Sequence, residues 1–227
     1  SEMVEHGEEV FDQAVEEPRL LNHWNTYTPA WARVGLAESP GENGARCLTI
    51  EDREPADTVV VERVVPKTSG IAVHMRLRFG NNRVKPLYVE LWDEHCQIPV
   101  RLIFNSEGKI ELCHGRKTEE IATFEAEVWH ELTVRVLPAR KRFEIELDHE
   151  LLGRDQRYQG EAARDAGWYF RASSGPISRI VYRTGPLARE PHLDMNVEDG
   201  EDLQNAETPL DPSLFQIGRL KTAALEE

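Results

Sequence analysis

From about Leu20 to Thr184 the chain alternates apolar and polar residues with a period of two. Ile71, Val73, Met75, Leu77 and Phe79 alternate with Ala72, His74, Arg76 and Arg78. Leu87, Val89 and Leu91 alternate with Tyr88, Glu90 and Trp92, and Ile98, Val100, Leu102 and Phe104 with Pro99, Arg101 and Ile103. Leu132, Val134 and Val136 follow the same rule with Glu131, Thr133 and Arg135, as do Phe143, Ile145 and Leu147 with Glu144 and Glu146. Successive side chains of a strand point to opposite faces, so each run is a strand with one buried and one wet face. Turn-forming residues separate the runs at 80–82, 105–108, 138–141 and 173–176. No long helical pattern competes. Many short strands between regular turns predict an all-β fold, a two-sheet antiparallel sandwich.

The chain has 227 residues, of which 40% are hydrophobic, enough for one large β domain with a real core. Asp and Glu number 41 against 27 Lys and Arg, a net charge of −14. That field repels nucleic acid and anionic membranes, and leaves neutral sugars, cations and basic proteins as partners. No apolar run is long enough to span a bilayer. Ser1-Glu2-Met3 is an unnatural beginning, so the termini are expected to be cut from a longer protein. The three cysteines, Cys47, Cys96 and Cys113, are too few for a disulfide framework. Residues 1–18 form a polar, acidic leader with a weak helical pattern in Val10, Phe11 and Ala14. Residues 19–222 form the single sandwich, with a long acidic loop at 186–212 and a tail at 223–227. Leu214 to Leu220 supply one more strand after that loop, a late return common in jelly rolls.

The stretch "EVWHELTVRVLPARKRFEIELDHELLG" carries a Trp at the start of a strand and an Asp-bearing turn after the next strand. It resembles the hairpins of laminin G-like and other concanavalin A-like sandwiches. "GPISRIVYRTG" resembles the penultimate core strand of the same modules, and "HWNTYTPAW" with "IEDREPADTVVVERVV" is similar to modules attached to sialidase-like propeller proteins. The resemblance implies a concanavalin A-like jelly roll with a concave front sheet. It also implies a secreted or periplasmic setting. Members bind glycans, bind proteins or cleave polysaccharides, and fold alone does not choose among these.

His74, Arg76, Arg78, Tyr88, Glu90, Trp92 and Arg101 are the wet-face residues of the central strands and are expected to bind an oligo- or polysaccharide, an acidic one given the arginines. The competing account is a structural ladder of cross-strand Arg–Glu pairs covered by aromatics. Glu146, Asp148 and Glu150 resemble the E-x-D-x-E run in the cleft of concanavalin A-like glucanases. A retaining glycosidase needs carboxyls about 5–5.5 Å apart, close to the spacing of alternate residues on one strand face. A three-residue turn of Asp148, His149 and Glu150 would instead place Leu147 opposite Leu151, both toward the core, and break that row. Trp24, Tyr27 and Trp31 are either a sugar platform or the seal at one end of the sandwich. Asp52, Glu54 and Asp57 are candidates for a structural calcium, with Asp194, Glu198, Asp199, Glu201 and Asp202 as a second acidic group. His95-Cys96 and Cys113-His114 have the composition of a split zinc set. A hairpin pairing residue 99 with 114 keeps the two halves apart.

The function expected is a non-catalytic, carbohydrate-binding accessory module of a larger glycan-processing protein. A glycoside hydrolase or polysaccharide lyase on the same scaffold is the first alternative. A structural module that braces a neighbouring domain of its parent protein is the second.

Overall fold

The computed structural model describes residues 3–10, 24–114, 117–137, 142–153, 168–169, 176–186 and 211–225. Their regular structure is entirely β, in two antiparallel sheets. The first runs β13 (Glu150–Leu151), β12 (Arg142–Leu147), β11 (Trp129–Leu137), β6 (Ile71–Asn81), β16 (Ser213–Leu225), β4 (Arg46–Asp52) and β3 (Ala32–Glu38). Two further strands join it: β1 (Met3–Val10) on β16 and β14 (Trp168–Tyr169) on β12. The second runs β10 (Lys117–Thr123), β9 (Lys109–His114), β8 (Val100–Phe104), β7 (Leu87–Asp93), β15 (Ile177–Thr184), β5 (Val60–Val64) and β2 (Trp24–Tyr27).

The alternation chooses which side of each strand is buried. On β6, Ile71, Val73, Met75, Leu77 and Phe79 are each at most 2% exposed, while His74, Arg76 and Arg78 lie on the outer side. Leu87, Val89 and Leu91 on β7 face them from the second sheet. Phe79 anchors the middle, with ring centroids 4.8 Å from Phe104 and 4.4 Å from Phe124. On β15 both Ile177 and Ile180 are buried, which strict alternation forbids. A bulge between Ile177 and Arg179 adds the residue that restores the register.

Four details differ from the sequence expectation, the first being that β16 runs to Leu225, through residues of the expected tail. Residues Met3–Val10 form a strand paired with β16, where a leader was expected; their composition shows no alternation because a pairing edge needs only backbone. Phe11, Ala14 and the acidic loop residues 187–210 lie outside the described residues.

The other two differences are hairpin lengths. Leu147 pairs with Glu150 and Glu146 with Leu151, so the turn has two residues, Asp148 and His149, and not three. Leu151 therefore shares a face with Glu146, and Leu152 packs against the core in its place. Both turn residues adopt positive φ (49° and 68°), the conformation a two-residue hairpin needs. Asp148 holds the turn: its carboxylate accepts the Glu131 N–H at 2.8 Å and pairs with His130 Nδ1 at 2.7 Å. His149 Nε2 lies 3.0 Å from Glu131 Oε2, but both side chains are largely exposed, so that contact contributes little. His149→Gly is expected to raise unfolding stability by about 0.5–1 kcal/mol, measured by urea denaturation, because glycine adopts this conformation without a Cβ penalty. The β8–β9 hairpin pairs Leu102 with Leu112 and Phe104 with Ile110, one residue from the expected register. Asn105 caps that turn by accepting the Glu107 and Lys109 N–H groups, with Gly108 at φ 75°.

Candidate functional site

The seven expected sugar-binding residues do not share a face. β6 and β7 are consecutive strands but belong to different sheets. His74, Arg76 and Arg78 lie on the outside of the first sheet; Tyr88, Glu90, Trp92 and Arg101 lie on the outside of the second.

On the first sheet, β11 adds Trp129, Glu131, Thr133 and Arg135 to the same face, opposite Arg78, Arg76, His74 and Ala72. β16 is bulged between Ile217 and Leu220, so Gly218 and Arg219 have no place in the pairing with β6. The bulge has a packing reason at Gly218. A Cβ there would lie 2.9 Å from Cζ3 of Trp129, so the indole ring can rest on the backbone only because the residue is glycine. The other side of that ring carries the Arg76 guanidinium, 4.9 Å from the centroid. Trp129 Nε1 donates to the Pro40 carbonyl at 2.9 Å, and Arg76 pairs with Glu42. That pairing holds the Glu42 carboxyl below its usual range.

Beyond Trp129, a depression of about 230 Å³ opens over the middle of the sheet, lined by His74, Arg76, Glu131, Thr133, Arg219 and Lys221. His74 Nδ1 meets Thr133 Oγ1 at 2.8 Å. Burial, then the charges of Arg135 and Lys221, push the His74 pKa down. The imidazole is therefore neutral at pH 7. A second depression of about 220 Å³ lies over β3 and β4, with Arg33, Gly35, Thr49 and Glu51 in its lining. Arg219, Lys221, Glu131 and Thr133 were not singled out from the sequence. The alternation in β11 contained the last two, and Gly218 beside Arg219 was only a weak signal of the bulge.

On the second sheet, Glu90 is fully buried between Arg101 and Arg183. Arg183 covers the Tyr88 ring at 4.2 Å, and Arg179 covers the Trp92 ring at 5.3 Å. These aromatics are capped by guanidinium groups, so they present no bare ring for a sugar to stack upon.

Glu146 pairs with Arg135 on the outer face, while Glu150 pairs with Leu147 across the turn. The two carboxylates thus project to opposite faces, and Asp148 is committed to the turn. No E-x-D-x-E row forms. Trp24 is 5% exposed and stacks on Tyr182 at 6.2 Å as an end seal. Tyr27 donates to Asp57 at 2.6 Å, and Trp31 is half-buried. Asp52 is fully buried, and Lys85 Nζ lies 3.0 Å from its Oδ2 and also donates to the Asp57 carbonyl. Glu54 accepts the Ala56 N–H. A cation from the chain itself thus sits among the oxygens proposed for calcium. Among the described residues, no group of three or more His, Cys, Asp or Glu is arranged to hold a metal ion. Asp194, Glu198, Asp199, Glu201 and Asp202 lie outside the described residues. Cys96 is exposed and contacts Arg179; all three cysteines are free thiols. No described helix is long and apolar enough to cross a membrane.

Among solved structures, a sialidase superposes with a TM-score of 0.75 at 23% identity, covering 98% of this chain and 19% of that one. The chain thus spans about a fifth of the sialidase's length. The cellulose induced protein Cip1 superposes with a TM-score of 0.58 at 12% identity, covering 97% and 98% of the two chains. The apo Crh5 transglycosylase gives 0.58 at 10% identity, covering 97% and 84%. These likenesses show a concanavalin A-like jelly roll. No match was found among curated protein sequences. A family model described as "Sialidase-like, CBM domain" matches residues 24–199, most of the chain. The protein is therefore a member of the sialidase-like CBM domain family, a family of carbohydrate-binding modules.

Proposed function

We propose that the chain is a non-catalytic accessory module that holds an acidic glycan against the outer face of the first sheet. The observation carrying this is the depression beside the β16 bulge. In a chain of net charge −14, it gathers Arg76, Arg219 and Lys221 around a neutral His74. A local positive field in an acidic protein focuses anions. Arg219 and Lys221 pair with a sugar carboxylate; Thr133, His74 and Glu131 serve the neighbouring hydroxyls. The family and the likeness to part of a sialidase support a role as one module within a larger glycan-processing protein. The separation of Glu146 from Glu150 supports a role in binding without hydrolysis.

A glycan array with matched neutral and carboxylated oligosaccharides tests this reading, alongside a reducing-sugar assay. Retention of carboxylated glycans without sugar release is expected. Release that disappears in Glu146→Gln would replace binding by hydrolysis.

The depressed pKa of His74 adds a pH dependence. As pH falls below about 6.5, the imidazole gains a proton and a charge, so affinity for a carboxylate rises until that carboxylate itself protonates. Stability moves the other way. The unfolded chain takes up this proton at higher pH than the folded one, so the contribution is present above about 6.5 and lost as pH falls through the folded value. His74→Gln should flatten both profiles, read by calorimetric titration and by urea denaturation between pH 5 and 8.

A further inference from the structure

The geometry points to a second ligand site, on the outer face of the second sheet, that takes a sulfate ester. Its centre is the triplet Arg101–Glu90–Arg183. Glu90 is fully buried on the middle strand β7, with Arg101 opposite it on β8 and Arg183 of β15, which lies opposite Tyr88, reaching it diagonally. Each arginine uses Nε and takes a different carboxylate oxygen: Arg183 Nε reaches Oε1 at 2.6 Å, and Arg101 Nε reaches Oε2. Sharing one carboxylate brings the two Nε atoms within roughly 7 Å, two hydrogen bonds and one carboxylate width.

Anchoring through Nε has a consequence for the other end of each guanidinium. Among the described residues, the Nη groups of Arg101 and Arg183 make no hydrogen bond. Both side chains keep solvent access, at 33% and 24% exposure. Arg183 is further fixed by stacking on Tyr88 at 4.2 Å, whose ring rests against Gly185. A Cβ at Gly185 would lie 2.5 Å from that ring. Two partly exposed guanidinium groups are therefore anchored through Nε, with their Nη groups left over. Ordering has been completed before any ligand arrives, which lowers the entropic cost of binding.

The number of forks selects the ligand. A carboxylate reaches two guanidinium groups only by giving each a single oxygen, as Glu90 does here. A sulfate ester has three terminal oxygens and can accept from both forks at once. The triplet carries a net charge of +1, from two arginines and one glutamate, which matches the single negative charge of a sulfate ester. The neighbouring Arg179 is engaged with Glu62 and Cys96 and adds no third fork. This site shares no residue with the depression on the first sheet, so the two assignments stand or fall separately.

The test follows the Arg101 and Arg183 Nε–Hε resonances by NMR in the intact chain. Sodium sulfate, galactose 6-sulfate and galacturonate are titrated at fixed ionic strength against sodium chloride. Both resonances are expected to shift saturably with galactose 6-sulfate and with inorganic sulfate, and at least tenfold more weakly with galacturonate. Arg183→Lys keeps the charge on Glu90 but removes the fork. It should weaken the galactose 6-sulfate response at least tenfold without lowering Tm appreciably, and Arg101→Lys should do the same. The response should persist in Arg219→Ala/Lys221→Ala. Shifts that match those in chloride, or galacturonate binding as tightly as the sulfate, would overturn the assignment. Binding of inorganic sulfate without galactose 6-sulfate would overturn the ester in favour of a free-ion site.

Discussion

Lys85→Met is expected to lower the unfolding free energy by about 3–5 kcal/mol, because it leaves the buried Asp52 carboxylate without its cation. Lys85 and Asp52 have side-chain exposures of 2% and 0%, with Nζ and Oδ2 3.0 Å apart. The same carboxylate accepts the Thr184 hydroxyl at 2.6 Å and the Glu54 N–H at 2.8 Å. Asp52 belongs to the first sheet and Thr184 to the second, so the group ties the two layers at one end of the sandwich. The Lys85 N–H also donates to Ser213 Oγ, at the start of β16. Asp52→Asn in the Lys85→Met background should recover part of the loss, since a neutral carboxamide strands no charge. Urea denaturation at pH 7 measures both. A loss below about 1 kcal/mol for Lys85→Met would mean that water replaces the ammonium at little cost.

The second large effect concerns binding. Arg219→Ala/Lys221→Ala is expected to reduce affinity for a carboxylated glycan by about two orders of magnitude or more. Charge-assisted hydrogen bonds contribute about 1.5–3 kcal/mol each, and 1.4 kcal/mol is tenfold. Both residues lie on the outer, solvent side of β16, so stability should change little. Isothermal titration calorimetry separates the outcomes. Lost affinity with unchanged Tm supports the site, and unchanged affinity would place the ligand elsewhere.

The alternation made the two faces of each strand legible, because burial on a sheet follows period two. It could not say which strands share a sheet. Arg76 and Glu90 both lie on the wet sides of consecutive strands, yet the chain crosses between layers at 82–86 and sends them to opposite outsides of the molecule. A sandwich places sequence neighbours in either layer at similar energy, so local pattern does not encode the choice. Hairpin lengths were legible to within one residue. The turn at Asp148 and His149 contains no glycine, so its positive φ values are fixed by the tertiary bonds of Asp148 to His130 and Glu131. The acidic group at Asp52, Glu54 and Asp57 was visible as a cluster. Its cation was not, because Lys85 is 33 residues further along the chain and reaches Asp52 only once the fold closes. The β16 bulge was invisible as a bulge. Gly218 is a weak signal until Trp129 is seen to rest on it.

The ligand proposed for the outer face of the first sheet is an acidic sugar. Backbone amide NMR during titration with sialyllactose and, separately, lactose distinguishes an acidic from a neutral ligand, since the two differ by one carboxylated sugar. Saturable shifts are expected at residues 74, 76, 131, 133, 219 and 221 with sialyllactose and weaker ones with lactose. Equal responses to both sugars, or sialyllactose shifts confined to the second sheet, would contradict that proposal.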